Sequence, residues 1–234
     1  MSKKALVLSS GGIDSTTCLG LAIDKFGVEN VITASLYYGQ KHDKELSCAQ
    51  AVADYYKVKH IEEDISSVMK YANAVCSLIK GGEEIKHSSY ADQIEENGEG
   101  RVATYVPFRN GLLLSIAAAY ADSLFPGEEV EIYYGAHADD AAGAAYADCS
   151  PEFAEAMNAA INLGTYGKIS VNRPLIDMNK AEVIKTGLEL NVPYHLTWSC
   201  YEGKDVQCGT CGTCIDRRTA FEANGVTDPV PYEV

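Results

Sequence analysis

The chain has 234 residues, enough for one large domain or for a domain with a small appendage. Apolar residues make up 47% of the sequence and charged residues 22%, which is ordinary for a folded globular protein and argues against intrinsic disorder. The formal net charge of −14 repels phosphate backbones and argues against broad nucleic-acid binding.

Strand-like runs alternate with segments of helical periodicity along most of the chain. In chain order, strands are predicted at 5–8, 31–38, 58–61, 130–134 and 169–171, and helices at 14–26, 43–56, 110–124, 150–163 and 179–190. This alternation is typical of right-handed βαβ units, so it predicts an α/β fold with a Rossmann-like parallel sheet and helices on both faces. Residues 66–104 lack the pattern and are predicted to form an irregular insertion, a flap over a site.

A glycine-rich turn, SSGGIDST at residues 9–16, follows the first predicted strand and opens the first helix. Gly11 and Gly12 permit positive φ angles and close approach of a ligand, and the helix start adds unpaired N–H groups. The turn is therefore suited to bind a phosphate group. Neither G-x-x-x-x-G-K-[ST] nor G-x-G-x-x-G occurs, which excludes the Walker and dinucleotide loops. The alternative is a serine- and glycine-rich turn in which Asp14 caps the helix.

The string S-G-G-x-D-S at residues 10–15 resembles the PP-loop of the ATP pyrophosphatase superfamily. In that superfamily the loop holds the β- and γ-phosphates of ATP as leaving pyrophosphate, while the substrate attacks the α-phosphate and becomes adenylated. The resemblance implies ATP binding, with Mg²⁺ on the phosphates. The nucleotide-binding residues that it implies are Ser9, Ser10, Gly11, Gly12, Ile13, Asp14, Ser15, Thr16, Thr17, Cys18 and Leu19.

A lysine late in the chain is a candidate for the cation that the turn lacks. Asn179 and Glu182 form a capping-box pattern, which places Lys180 in the first turn of a helix. A positive lysine there interacts unfavourably with the helix dipole, at a cost of roughly 0.3–1 kcal/mol, and an anionic ligand beside it would offset this cost. The sequence PLIDMNKAEV at 174–183 also resembles the later, lysine-bearing phosphate motif of the superfamily. The alternative is a solvent-exposed lysine whose charge the helix dipole does not affect.

Four of the eight cysteines form the spacing C-x7-C-x2-C-x2-C near the end of the chain. No membrane-span or signal-peptide pattern is found, which predicts a cytoplasmic protein, and a reducing cytosol favours metal binding over disulfides. Four thiolates close a tetrahedral site with no open position, so one structural Zn²⁺ is predicted on Cys200, Cys208, Cys211 and Cys214. An iron–sulfur cluster or redox chemistry is the alternative, although Arg218 stands where the ferredoxin run has its fourth cysteine.

Seven motifs in order make the resemblance more specific. They are SGGIDSTTCL, YYGQKHDKE, YVPFRN, GAHADD, YADCSPEF, PLIDMNKAE and the terminal cysteine run. Together they resemble the 7-cyano-7-deazaguanine synthase (QueC) family, nitrile-forming enzymes of queuosine-precursor biosynthesis, over nearly the whole chain. The resemblance implies ATP-dependent conversion of 7-carboxy-7-deazaguanine and ammonia to the nitrile through adenylated carboxylate and adenylated amide intermediates, with release of AMP and pyrophosphate. It also implies a homodimer. Phe108 departs from the family pattern, since some members have glycine there.

The candidate site residues mostly follow the ends of predicted strands, where ligands bind in open α/β sheets. The candidate catalytic residues are Asp14, Lys180 and Arg109, whose guanidinium suits a carboxylate or phosphate. The candidate substrate-binding residues are Gln40, Arg109, Asn110, His137, Asp140, Tyr146 and Asp148, with His42 as a further candidate near the nucleotide. Structural roles are the alternatives: an ion pair for Arg109, a core imidazole for His137, and caps for Asp139, Asp140, Gln40 and His42.

The predicted organisation has two parts. Residues 1–194 form a PP-loop α/β nucleotide-binding domain, and residues 195–234 form a four-cysteine zinc module that ends in a short helix at 215–223. The expected partners are small-molecule substrates, with no nucleic acid and no membrane. One alternative is another PP-loop enzyme that adenylates a tRNA base, against which the net acidity and the lack of a basic extension weigh. The other is a non-enzymatic zinc-ribbon interaction module, which would not need both Lys180 and a complete pyrophosphate loop.

Overall fold

A computed structural model describes residues 3–41, 43–72, 76–81, 104–141, 146–203 and 205–233, with the backbone alone at 140–141. Five strands form one sheet: β1 (Lys4–Leu8), β2 (Val31–Tyr37), β3 (Lys59–Asp64), β4 (Val130–Tyr133) and β5 (Ile169–Asn172). Their order is β3-β2-β1-β4-β5, and every neighbouring pair is parallel. Each predicted strand is confirmed, with bounds that shift by at most a few residues.

The helices of the described chain are α1 (Ile13–Phe26), α2 (Lys44–Tyr56), α3 (Arg109–Leu124), α4 (Ala138–Ala141), α5 (Pro151–Gly164), α6 (Lys180–Glu189) and α7 (Gly212–Ala223). Local sequence signals explain two of the starts. Ser150 caps α5 by accepting a hydrogen bond from the backbone N–H of Phe153, with Pro151 as the first helical residue. Asn179 and Glu182 complete the predicted capping box of α6. Only the four-residue α4 was not predicted, and it is too short for a periodic pattern.

The sheet is covered by helices on both faces, as the sequence predicts. Successive residues of a strand point to opposite faces, so Ala5 and Val7 pack into one core cluster and Leu6 packs into the other. The first cluster contains residues of α1, α2, α6 and α7, and the second contains residues of α3 and α5. Because all five strands run in the same direction, the loops at their carboxyl ends lie along one edge of the sheet.

Most of the predicted insertion lies outside the described residues, since 73–75 and 82–103 are not described. The flap is therefore still a prediction. In the described part, Met69, Ala72, Cys76 and Ile79 form a small buried cluster with Val106. The backbone of Ile79 also pairs with Gln40 in an isolated bridge. This cluster attaches the edges of the insertion to the carboxyl end of β2.

Arg217 on α7 ties the last residues of the chain to the rest of the protein. Its side chain is fully buried, and Nε and Nη2 donate to the two carboxylate oxygens of Asp228 at 2.7 and 2.9 Å. Nη1 donates to Thr197 Oγ1 at 2.8 Å, and Nη2 also donates to the Tyr194 carbonyl at 3.2 Å. A buried guanidinium needs such compensation for its lost hydration.

Phe221 of α7 lies in the same core cluster as β1. The predicted domain boundary near residue 194 stays a prediction.

Among the described residues, no helix has both the length and the hydropathy that crossing a bilayer requires.

Candidate active site

The glycine-rich turn between β1 and α1 is fixed by close packing. Gly11 has a φ angle of 77°, and a Cβ atom there would overlap the backbone of α2 at Glu45 and Ala49. The Gly11 carbonyl accepts a hydrogen bond from the backbone N–H of Trp198 at 2.9 Å. The turn is thus held between α2 and the C-terminal segment, and position 11 has room for glycine only.

Hydroxyl groups stabilise the inside of the same turn. The backbone N–H of Ser10 donates to Ser15 Oγ at 3.1 Å, and the N–H of Gly12 donates to Ser10 Oγ at 3.3 Å. Gly12 is the N-cap residue of α1, so the alternative reading of Asp14 as the helix cap is wrong. The first N–H groups of α1 have no carbonyl partner within the helix, which favours an anion at this end.

The first turns of α1 and α6 and the loop after β4 bring Asp14, Lys180 and His137 together. Lys180 Nζ lies 2.7 Å from each carboxylate oxygen of Asp14 and 3.3 Å from His137 Nε2. Burial raises the pKa of Asp14, but the charges of Lys180 and His137 outweigh it and hold that pKa below its ordinary value. The backbone N–H of Lys180 donates to Asp139 Oδ2 at 2.8 Å, which joins the start of α6 to the loop after β4. The lysine predicted from the sequence therefore lies beside the glycine-rich turn.

A cleft with a volume of about 320 Å³ opens at the carboxyl ends of β1, β2 and β4. The strand order reverses between β1 and β4, and such a switch point is where open α/β sheets bind ligands. Predicted site residues that line the cleft are Ser9, Ser10, Gly12, Ile13, Asp14, Ser15, Gln40, Arg109, Asn110, His137, Tyr146 and Lys180. The cleft thus brings the turn and all three candidate catalytic residues to one place.

Arg109 is the first residue of α3 and extends toward the end of β2. Its Nη1 donates to the Tyr38 hydroxyl at 3.3 Å, and its guanidinium carbon lies 5.6 Å from the centre of that ring. Its partner is thus a neutral phenol. Within the part of the chain that the structure describes, this is the hydrogen-bond partner of the guanidinium, so N–H donors are left for an anionic ligand. The preceding residue, Phe108, has a φ angle of 54°, which explains why glycine is also suited to that position.

Other predicted substrate-binding residues have structural contacts. Asp148 is 4% exposed and does not line the cleft; its Oδ2 accepts a hydrogen bond from the backbone N–H of Asn110 at 2.9 Å. This bond braces the start of α3. Gln40 is buried, and its Oε1 accepts from the backbone N–H of Tyr38 at 3.0 Å. The hydroxyl of Tyr146 is hydrogen-bonded to that of Thr104.

Several predicted residues do not reach the cleft or are not described. Thr16, Thr17, Cys18 and Leu19 are fully buried within α1, and none lines the cleft. His42 and the side chain of Asp140 lie outside the described residues. The roles assigned to all of these residues stay predictions.

Sequence reasoning missed several side chains of the cleft, among them Tyr38, Glu45 and Trp198. Tyr38 and Glu45 lie in the YYGQKHDKE motif, directly after the strand that neighbours β1, and this position was the available signal. Trp198 lies two residues before Cys200 and packs with the cysteines, and Lys44 Nζ lies 5.2 Å from the centre of its ring. One wall of the cleft is therefore contributed by the cysteine region.

The four clustered cysteines come together at the start of α7. All of them are buried, and their sulfur atoms lie within 4.8 Å of one another. Tetrahedral bonds of about 2.3 Å to one ion would put the sulfur atoms about 3.8 Å apart, which this arrangement can accommodate. Backbone N–H groups of Cys208 and Cys211 each donate to a cysteine sulfur at 3.3 Å. Such donors stabilise thiolates, so Cys200, Cys208, Cys211 and Cys214 can hold a metal ion.

Comparison with known proteins gives a consistent family. The family described as "Queuosine biosynthesis protein QueC" matches residues 4–225. A 7-cyano-7-deazaguanine synthase from Archaeoglobus fulgidus is 42% identical over 97% of this chain and 89% of its own length, and one from Marinomonas sp. is 42% identical over the full length of both. Among solved structures, NMN synthetase from Francisella tularensis aligns with 97% of this chain and 79% of its own at 14% identity, with a TM-score of 0.48. By the family match and the identity of its relatives, the chain belongs to the QueC family.

Proposed function

We propose that this chain is a 7-cyano-7-deazaguanine synthase, which uses ATP to convert 7-carboxy-7-deazaguanine and ammonia to the nitrile. The names of relatives at 42% identity support this assignment. The observation that carries it is the position of Lys180 beside Asp14 at the glycine-rich turn, with Arg109 in the same cleft. A site for adenylating a carboxylate needs these three features: a cradle for pyrophosphate, a cation for the phosphates and a donor that holds the acid.

In the first step, a carboxylate oxygen of the substrate attacks the α-phosphorus of ATP and the bond to pyrophosphate breaks. The unpaired N–H groups at the start of α1 and the hydroxyls of the turn hold the departing phosphates. Lys180 neutralises the charge that develops on them, and Arg109 orients the attacking carboxylate. Mg²⁺, when bound, would share the phosphate charge, and Asp14 is the carboxylate placed to hold it.

The same site serves the second activation. Ammonia displaces AMP from the acyl carbon to give the amide, and the amide oxygen then attacks the α-phosphorus of a second ATP. Loss of AMP from this adenylated amide leaves the nitrile. A carboxylate or amide oxygen is a poor leaving group and AMP is a good one, so two rounds of one phosphate chemistry account for the overall reaction.

The cysteine cluster has a structural role in this proposal, and its ion is Zn²⁺. Four thiolates leave no coordination position for a substrate, and their closeness fits one tetrahedral ion. An ion in this position holds the segment that contains Trp198 against the turn. The family resemblance further implies a cytoplasmic homodimer, whose stoichiometry light scattering of the purified protein would measure.

The test is an assay of the purified protein with ATP, 7-carboxy-7-deazaguanine and ammonia. We expect AMP and pyrophosphate to form only when the acid is present, and the nitrile to appear by mass spectrometry only when ammonia is added. A parallel reaction contains unmodified tRNA in place of the acid. Turnover with tRNA and none with the deazaguanine acid would show that the substrate assignment is wrong.

A further inference from the structure

Glu45 lies in the wall of the cleft in a position that the turn itself fixes. It is in the first turn of α2, its side chain is partly buried, and it lines the cleft. The Gly11 Cα packs directly against the Glu45 carbonyl, where a Cβ atom would not fit. The backbone that carries this carboxylate is therefore in contact with the phosphate-binding turn.

Four carboxylates line the cleft, and they differ in their partners. Asp14 is engaged by Lys180, and Asp139 accepts from the Lys180 N–H and is half exposed. Asp216 lies on α7, at the cysteine end of the cleft. Glu45, by contrast, has no hydrogen bond or ion pair from its carboxylate within the described ranges. An acceptor of this kind in a ligand cleft is available to a donor on the ligand.

The surroundings of Glu45 favour a carboxyl group that exchanges protons near neutral pH. Burial raises the pKa of Glu45 to about 7, against the opposing effect of the Arg109 charge. Among the described residues, the charged or titratable groups that face it are Arg109 on α3, Tyr38 after β2, and Cys48 on its own helix. A base is most effective when its pKa lies near the working pH.

We propose that Glu45 is the base that accepts the protons released by the ammonia nitrogen on its way to the nitrile. This inference rests on the proposed function, because only a nitrogen-transferring enzyme has such protons to remove. Ammonia has three hydrogens and the nitrile nitrogen has none, so three protons must leave.

One proton passes to Glu45 as the nitrogen bonds to the acyl carbon and the carbon–oxygen bond to AMP breaks with its electron pair. The second leaves as the amide oxygen bonds to the α-phosphorus and pyrophosphate departs. The third leaves as the second carbon–oxygen bond to AMP breaks and the carbon–nitrogen triple bond forms. Glu45 releases each proton to water before it accepts the next.

The test separates adenylation from nitrogen chemistry in Glu45→Gln, which keeps the shape of the side chain and removes its basicity. Acid-dependent exchange of pyrophosphate into ATP requires no ammonia, and we expect it to stay within about twofold of the native rate. Single-turnover amide formation should fall about 10²- to 10⁴-fold, the usual contribution of a general base. At a fixed concentration of uncharged ammonia, the native rate of amide formation should rise with pH through about 7, because only the ionised carboxylate accepts a proton, and the variant should lack this rise.

The matched control is Glu62→Gln on β3, an exposed glutamate outside the cleft, which should behave like the native enzyme in both assays. Glu45→Asp keeps a carboxylate and should retain exchange, a slower amide formation and the pH-dependent rise, so it serves if the glutamine variant does not fold. Equal loss of exchange and amide formation in Glu45→Gln, or no loss in either, would overturn the proposal. Absence of acid-dependent exchange in the native enzyme would instead refute the proposed function itself.

Discussion

The glycine-rich turn and the cysteine cluster are neighbours, connected through Trp198, and they reach their geometry in different ways. The turn is shaped by the chain alone: Gly11 packs against α2, its carbonyl accepts from Trp198, and Ser10 and Ser15 are hydrogen-bonded to each other. The cysteine cluster instead brings four sulfur atoms within 4.8 Å, and as thiolates these would repel one another without a cation. The comparison indicates that the first site is preorganised by the fold and that the second, as thiolates, would depend on a bound cation.

The largest expected effect comes from a substitution in the cysteine cluster. Cys211→Ser should lose one equivalent of metal and melt at a much lower temperature, because zinc binding to such sites contributes folding free energy directly. Cys76→Ser, a buried cysteine far from the cluster in sequence, is the control and should keep its metal. Metal analysis measures the zinc content, and calorimetry measures the melting temperature. Full zinc content in Cys211→Ser would mean that the four cysteines are not the ligands.

The next largest effect comes from a substitution in the glycine-rich turn, which should change catalysis without changing the fold. Asp14→Asn removes the charge that faces Lys180, and we expect turnover to fall by at least about 100-fold while zinc content stays the same. Asp24→Asn, at an exposed position of the same helix, should leave turnover within about twofold. Pyrophosphate release measures both variants. Native activity in Asp14→Asn would show that this carboxylate has no role in the mechanism.

The smallest of the three effects is on stability, and it tests whether close packing determines the shape of the turn. Gly11→Ala and Gly127→Ala both place alanine at a positive φ angle, which costs about 1–2 kcal/mol. Only at Gly11 would the new Cβ meet backbone atoms of α2, whereas none lies within 4 Å at Gly127. We expect Gly11→Ala to lower the free energy of unfolding by a further 1–3 kcal/mol or so. Equal losses by urea denaturation would show that the turn tolerates a side chain.

Local signals in the sequence predicted the fold and part of the site. The β-branched strands and the capping pattern of Asn179 and Glu182 act over a few residues, and the structure confirms both. The same pattern placed Lys180 at a helix start, but its contact with Asp14 joins positions 166 residues apart, which no local pattern encodes. The structural contact of Asp148, a predicted substrate-binding residue, also depends on tertiary packing, since its bond to the Asn110 N–H forms only when α3 meets the turn before α5.

Residue-type arguments were weakest where a motif contains several polar side chains. The motif YYGQKHDKE drew attention to Gln40 and not to Glu45, although both line the cleft; the Gln40 amide oxygen accepts from the backbone N–H of Tyr38. Both residues follow β2, and their different partners depend on tertiary contacts that the motif does not encode.

Trp198 is the sole tryptophan of the chain, and it contacts both the glycine-rich turn and the cysteine cluster. Its backbone bonds to Gly11, its indole N–H donates to the Cys200 carbonyl at 2.7 Å, and its ring lies near Lys44. Excited at wavelengths that tyrosine does not absorb, the protein therefore has a single chromophore, which lies beside both the glycine-rich turn and the cysteine cluster. An unlabelled sample thus provides its own optical reporter for titrating either ligand.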